Sequence, residues 1–538
     1  VEKSKEQLNK IKNKLGPDDN GDHLHILNFN IMMLEDELLS REVTEYIEKE
    51  QVNAEWAIRS VLTKHSEALK DVEDLYMRER LEDFYYLGER ILRNLHGVKE
   101  KFPDLEEDSV LVSHDVSAID VVEYVKHYAQ GIATDIGGST SHNAIVAKSL
   151  GIPTVMGLES ITSKASPGDI IFVDGFNGMV IINPDENEVD LLKEKQLKFL
   201  IREKKLLDYA KLEGKTTDDH KIKVYANIEI AEELELALSY GAEGIGMYRT
   251  EFLFTNSIYF PSEDQQLQSY KKVLSALPTS NVTIRTVDIG GDKIPIGMET
   301  YKRLNPALGL RGIRFSLNDI DTFTTQLRAI LKAGKDRKIR ILIPMVSSLF
   351  EVLETKSLIS NVAKEIESKC DWELGVMIET PSAAILASDI AKEVDFLSIG
   401  TNDLIQYTLA VDRINENVSY LFSSFHPAVL RLIKQVIDSA HDRNIPVCVC
   451  GEMAGELVCV PFLVGAGVDE LSMNTHSIPK VKKLLNTISK KQAKKIAKDA
   501  IKLKTVLEVK DYLITTIIKY WGMHLPEELL EEITADQK

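Results

Sequence analysis

The 538-residue sequence predicts a multidomain α and α/β protein: a helical bundle, then a small α/β domain, then a C-terminal (β/α)8 TIM barrel. Three observations carry this expectation. The first hundred or so residues are poor in Gly and Pro, the next stretch holds short β-type runs cut by turn residues, and the remainder alternates eight β-rich runs with amphipathic helical ones. At about 150 residues per domain the length allows three or four domains.

Residues 1–98 read as helical. No Pro falls between Pro17 and Pro103, and no Gly between Gly21 and Gly88. Apolar residues recur at helical spacing, as in Leu27, Ile31, Leu34 and Leu38, and again in Leu87, Ile91 and Leu95. Residues 99–185 change character, with β-type runs at 110–112, 131–134, 170–173 and 179–182. Pro167-Gly168-Asp169 and the 174–178 segment DGFNG punctuate them, so a compact α/β domain is expected. The charged, Leu-rich stretch 186–213 reads as a linking helix.

Residues 214–538 carry strand candidates at 223–228, 244–249, 282–287, 339–346, 374–379, 396–400, 446–450 and 470–474. Amphipathic stretches such as 231–240, 318–334, 349–368 and 428–442 separate them. Eight strand–helix repeats point to a barrel with insertions. An open doubly wound sheet is the alternative, because periodicity does not show closure.

Asp and Glu number 84 against 65 Lys and Arg, a net charge of −19. That balance argues against a nucleic-acid binder and against docking on an anionic membrane. The excess is concentrated at the front, with 14 basic against 21 acidic residues in 1–98 and 5 against 13 in 99–185. No apolar run is long enough to span a bilayer, and no signal-peptide pattern opens the chain, so no membrane insertion is expected. Cys370, Cys448, Cys450 and Cys459 make no disulfide framework in a chain of this length, so the expected location is cytoplasmic.

The chemistry begins at 134–151, TDIGGSTSHNAIVAKSLG. A strand ends, two glycines turn the chain, hydroxyl residues offer caps, and a helix starts, which places His142 in its first turn. Free backbone N–H groups and the helix dipole there favour an anion, so a phosphoryl group on the imidazole would be stabilised. By itself, a histidine in a capped turn is more often structural than nucleophilic.

In a barrel the reactive groups sit at the C-terminal ends of the strands. There the sequence places Arg249 and Glu251, then Arg285, Thr286 and Asp288 before Gly290-Gly291-Asp292-Lys293, then Glu379, then Asn402-Asp403 with Arg413 beyond, then Cys450-Gly451-Glu452. Arginines from separate strands suit phosphate and carboxylate together. Glu379 and Asp403 are hard oxygen ligands of the kind Mg²⁺ takes, and Cys450 stands where a proton donor or acceptor is useful. Each residue alone could equally cap a helix or form an ion pair. Together they suit a small phosphorylated acid bound through a metal.

These motifs resemble the Enzyme I family of the bacterial sugar phosphotransferase system, the phosphoenolpyruvate–protein phosphotransferases. The resemblance rests on GGSTSHNAIVAKSLGIP (137–153), GIGMYRTEFLF (244–254), IRTVDIGGDK (284–293), NPALGLRGIR (305–314), GVMIETPSAA (375–384), SIGTNDLIQYTLAVDR (398–413) and CGEMAGE (450–456), in order along nearly the whole chain. It implies a helical HPr-binding domain over 1–98, a swivelling phosphohistidine domain over 99–185, a linker helix over 186–213, and a phosphoenolpyruvate-binding, dimer-forming barrel over 214–538. It implies that His142 is the phosphorylated nucleophile and that Arg249, Arg285, Asn402, Asp403 and Arg413 hold phosphoenolpyruvate, with a lesser role for Arg311. Glu379 and Asp403 would bind Mg²⁺, and Cys450 would protonate the enolate to give pyruvate. The phosphoryl group would then pass to the histidine carrier protein HPr, the first step of sugar phosphotransfer, with the enzyme working as a homodimer.

The chain also departs from the family pattern. Ser139 stands where a basic residue is usual, Asn143 where Thr is frequent, Lys148 where Arg is usual, Val121 where a Thr offers its hydroxyl to the histidine, and Asn30 where His is common. Val1 already matches the first helix of the pattern, so the extreme N-terminal strand and turn are expected to be missing. These departures keep a regulatory or nitrogen-type paralogue with impaired phosphorelay as the alternative. A pyruvate–phosphate dikinase or phosphoenolpyruvate synthase relative is the remoter one, since residues 1–98 are too short and Gly-poor for an ATP-binding domain.

Overall fold

The computed structural model describes residues 3–5, 37–61, 88, 91–92, 94–95, 109–116, 121, 129–138, 144, 147, 151–231, 233–255, 260–290, 308–413, 415 and 417–535. The chain divides into two compact units, Val1–Lys198 and Phe199–Lys538.

Within residues 1–98 the described segments are mostly helical. Residues Glu37–Glu50 form a helix that ends at Gln51, whose φ of 54° leaves the right-handed region. A second helical run covers 54–61 and is capped by Asn53, whose Oδ1 accepts the N–H of Trp56 at 2.9 Å. Ala57, Ile58 and Val61 turn inward from it, and Ile91 and Leu92 are buried as well, whereas Leu95 is exposed. Leu27, Ile31, Leu34 and Leu87 lie outside the described residues.

The α/β part holds a parallel sheet ordered β1 (Ser109–Ser113), β2 (Ala129–Thr134), β3 (Thr154–Val155), and an antiparallel hairpin of β4 (Ile171–Asp174) and β5 (Met179–Ile182). Sequence reading missed β3, because two residues carry no alternation. Asp174 builds the hairpin turn by accepting from the N–H groups of Phe176 and Asn177, both at 3.1 Å, while Lys195 pairs with its other oxygen at 2.5 Å. Val116, Val121, Ile132 and Ala147 form the small buried core beneath β2. Helix Glu186–Ala210 follows, within the stretch expected to link domains.

In the second unit all eight expected strands form: β6 (Lys223–Ile228), β7 (Ile245–Tyr248), β8 (Val282–Arg285), β9 (Lys338–Ile343), β10 (Asp371–Ile378), β11 (Phe396–Ile399), β12 (Val447–Val449) and β13 (Glu470–Met473). They pair in parallel and in order, and β13 returns to β6 with Glu470 opposite Lys223 and Met473 opposite Ala226. That last pairing excludes the open sheet. Gly246 on β7 permits the close approach of Ser472 and Tyr225, since a Cβ at that position would stand 3.0 Å from Cβ of Tyr225 and collide with Ser472.

The barrel interior is packed. Met247, Leu342, Met377, Phe396, Cys448 and Cys450 form one buried cluster. Near the N-terminal strand ends, Arg340 joins Glu373 at 3.0 Å and Glu470 at 2.7 Å, with its guanidinium 4.8 Å over the Phe396 ring. This ion pair closes one end of the barrel and leaves the other for chemistry. Among the described residues, no helix is long and apolar enough to cross a membrane.

Candidate active site

Strand ends deliver nearly every residue of interest to the same face. Arg249 follows β7 directly, and its N–H donates to the Ile228 carbonyl at the end of β6 at 2.9 Å. Arg285 is the last residue of β8, Glu379 follows β10, and Cys450 follows β12. Asn402 and Asp403 lie in the first turn of helix Thr401–Leu409, which starts as β11 ends. Arg311 comes from the long β8–β9 connection, where Gly312 turns the chain at φ +58° and a Cβ would sit 2.8 Å from Cβ of Met345. Gly451 is likewise required, because a Cβ there would overlap Thr401.

Around Arg311 the charges interlock. Its Nε and Nη2 donate to the two oxygens of Asp288 at 2.9 and 3.0 Å, while Nη1 and Nη2 reach the two oxygens of Asp403 at 3.3 Å each. Nη1 also donates to the Tyr407 hydroxyl at 3.2 Å. Arg285 pairs with Glu251 at 3.0 Å and Asp288 at 3.4 Å, and Glu251 accepts the Asp288 N–H at 2.8 Å. Arg249 donates from Nη1 to Glu229 at 2.6 Å. The Nε atoms of Arg249 and Arg285 are buried and have no hydrogen-bond partner among the described residues, so each guanidinium retains an unspent donor.

Asn402 exchanges two hydrogen bonds with Glu452, donating to its carboxylate at 2.9 Å and accepting its N–H at 3.0 Å. Arg413 lies 3.9 Å from the same Glu452 carboxylate and is half exposed, at the rim. Asn227 fixes the backbone at Cys450 by donating to its carbonyl at 2.9 Å.

The buried groups have shifted acidities. For Arg285 and Arg311 burial opposes the charge, but the surrounding carboxylates outweigh it and hold both firmly cationic. Glu379 is pushed well above the usual carboxylate range by burial first, then by Asp403 and Asp288, with Arg285 and Arg311 pulling the other way. Burial lifts the Cys450 thiol to about 11, so it is protonated at neutral pH. Its Sγ donates weakly to the Ile399 carbonyl at 3.5 Å.

Glu379 and Asp403 fit a divalent cation. One Glu379 oxygen accepts the Met345 N–H at 2.6 Å, and the other faces Gly400, where a Cβ would come within 2.8 Å of it. A buried carboxylate destabilised by two neighbouring acids lacks positive charge, which a metal supplies. Among the described residues no third His, Cys, Asp or Glu completes a protein-only cage, and two carboxylates finished by water and substrate oxygens is the manner of Mg²⁺.

The expected residues Arg249, Arg285, Arg311, Glu379, Asn402, Asp403 and Cys450 therefore gather at one barrel face, with Arg413 at its edge. Arg311, assigned the lesser part from sequence, is the residue that bridges Asp288 and Asp403. His142 lies outside the described residues, as do Ser139, Asn143, Lys148, Asp292 and Lys293. Val121 is wholly buried in the small core, a position that a Val fills by packing. Sequence reading missed Glu229 and Tyr407. Glu229 was detectable as the residue directly after β6, and Tyr407 as the i+4 neighbour of Asp403 on a helix.

Comparison with known proteins finds family matches along most of the chain. Residues 203–490 match the PEP-binding domain of PEP-utilising enzymes, 105–178 their mobile domain, and 1–80 their N-terminal domain. A phosphoenolpyruvate-protein phosphotransferase of Staphylococcus carnosus is 40% identical over 517 residues, covering 95% of this chain and 90% of its own. Its counterpart in Staphylococcus aureus strain MRSA252 is 39% identical over 515 residues, with the same coverage of both chains. The protein of that name from Haemophilus influenzae is 39% identical over 515 residues, covering 95% of this chain and 89% of its own.

Proposed function

Because the chain belongs to the phosphoenolpyruvate–protein phosphotransferases, the Enzyme I family, we propose that its barrel face binds phosphoenolpyruvate and that His142 takes the phosphoryl group and hands it to HPr. The chain is an enzyme of phosphoenolpyruvate-dependent protein phosphotransfer. What supports the assignment of residues is the buried network of Arg285, Asp288, Arg311 and Asp403 around Glu379 at the strand ends.

Arg249 and Arg285 hold the anionic groups of the substrate, with Asn402 and Arg413 closing the edge. Glu379 and Asp403 would hold Mg²⁺, which would supply positive charge to offset that of the transferring phosphoryl group. A ring nitrogen of His142 attacks phosphorus, the bond from phosphorus to the enol oxygen breaks, and its electron pair leaves on the enolate. The Cys450 thiol gives its proton to the terminal carbon of that enolate, which yields pyruvate, and the thiolate regains a proton from solvent. A thiol lifted to about 11 is fully protonated when this step needs it. Arg311 keeps Asp288 and Asp403 in place throughout.

In this reading residues 1–98 dock HPr, 99–185 carry His142 on a swivelling domain, 186–213 link, and 214–538 bind substrate and form the homodimer. The family matches to an N-terminal, a mobile and a PEP-binding domain support that division. The N-terminal match over 1–80 is also what weighs against an ATP-binding front and a dikinase. A cytoplasmic location accompanies the reading.

The test is incubation with radiolabelled phosphoenolpyruvate and Mg²⁺. The parent chain becomes labelled and His142→Ala does not; label retained by the variant overturns the assignment. Pyruvate release that depends on added HPr separates the relay from a regulatory paralogue.

A further inference from the structure

We propose that Glu229 competes with phosphoenolpyruvate for Arg249, acting as an internal anion that must be displaced before substrate is gripped. This deepens the reading above, since it rests on Arg249 holding the substrate.

The pair is built by the barrel. β6 and β7 run parallel with Ile228 opposite Tyr248, so the residues that follow, Glu229 and Arg249, emerge side by side at the strand ends. The Arg249 backbone is pinned to the Ile228 carbonyl at 2.9 Å, and the Glu229 N–H donates to Glu233 at 2.7 Å. With both backbones held, Nη1 of Arg249 meets Oε1 of Glu229 at 2.6 Å. A guanidinium recognises phosphate or carboxylate with two parallel N–H donors. With Nη1 committed to Glu229 and Nε buried, the fork is not offered whole.

The carboxylate partners of the neighbouring strand-end arginine differ in kind. Arg285 is held by Glu251 and Asp288, whose side chains are 12% and 2% exposed, so those partners are part of the fixed framework. Glu229 is 44% exposed and has solvent to swing into. An exposed pair of this type contributes little, so a multiply charged anion displaces it, but not without cost. The cost appears in ground-state binding, because Glu229 has left before the phosphoryl group moves.

The experiment uses the full chain with Mg²⁺ and HPr, comparing Glu229→Gln, Glu229→Asp, Arg249→Ala and Arg249→Ala/Glu229→Gln. Glu229→Gln keeps shape and removes charge, and is expected to lower KM for phosphoenolpyruvate about two- to fivefold, the range of an exposed ion pair, while kcat follows the parent. Glu229→Asp keeps the charge and the parent KM within twofold. In the Arg249→Ala background the Glu229→Gln effect disappears, because it acts through that arginine. Direct calorimetric binding of phosphoenolpyruvate to His142→Ala, with and without Glu229→Gln, shows the same tightening in Kd. A KM or Kd that rises or stays unchanged in Glu229→Gln overturns the proposal. If Arg249→Ala leaves KM unchanged, the failure lies instead in the assignment of Arg249 to the substrate.

Discussion

Replacement of Arg311 by Met is the most exacting perturbation of the site. The side chain is 18% exposed and lies between Asp288, 2% exposed, and Asp403, 19% exposed, with Glu379 buried beside them. Methionine fills much of the volume but takes away the only charge that engages Asp288 and Asp403 together among the described residues. Removing one member of a buried ionic group costs about 3–5 kcal/mol, mostly because the carboxylates left behind are unpaired. The loss depends on pH in a defined direction. Glu379 already has a folded-state pKa raised above 4.5, so its contribution is intact below that value and declines as pH rises through the folded pKa. Arg311 is one of the charges that restrain this rise, so in Arg311→Met the folded pKa moves higher and the decline deepens. The deficit relative to the parent is therefore larger at pH 8 than at pH 5. Urea unfolding at both pH values, in a Trp56→Phe background so that Trp372 and Trp521 of the barrel unit report, measures it. A deficit below about 1 kcal/mol at pH 8, or an equal deficit at pH 5, refutes the account of Arg311 as the charge that holds this site together.

Other outcomes follow from the same geometry. Cys450→Ala slows pyruvate formation by about 10²–10⁴-fold if the thiol is the proton donor, and alkylation of Cys450, followed by mass spectrometry, has a pH midpoint near 11 and not near 9. Mg²⁺ binding draws the raised Glu379 pKa back down, so it releases protons across the pH range in which that carboxyl is still partly protonated. Calorimetry in two buffers of different ionisation enthalpy detects this release, and Glu379→Gln abolishes it. Association with HPr slows as salt is raised, given the excess of 34 acidic over 19 basic residues in 1–185. A rate that ignores ionic strength removes steering from the role of that charge.

Much of the site could be read before any coordinates. A catalytic face needs residues just past strand ends, and β-type runs such as 244–249 and 446–450 mark those ends within a residue or two, which places Arg249 and Cys450. Arg311 was undervalued because it comes from a connection with no periodicity, and nothing local announces that it meets Asp403 on a helix 92 residues later. Glu229 was overlooked for a related reason. Its importance comes from standing beside Arg249 across two strands, not from its own neighbours in sequence. The acidities of Glu379 and Cys450 are wholly tertiary, since the same side chains in water would titrate near their ordinary values.

The sequence by itself determined the order of elements, the eight strands and the residues at their ends, because alternation and turn chemistry act over a few residues and are written in adjacent positions. Its motifs also carried the family. Closure of the barrel belonged to the tertiary structure alone, since the pairing of Glu470–Met473 with Lys223–Ala226 depends on the accumulated twist and register of every strand between them. So did the distribution of charge: which arginine answers which carboxylate, which acid is left raised, and which exposed glutamate pairs with Arg249. Those are properties of distance and burial, and only the closed barrel sets them.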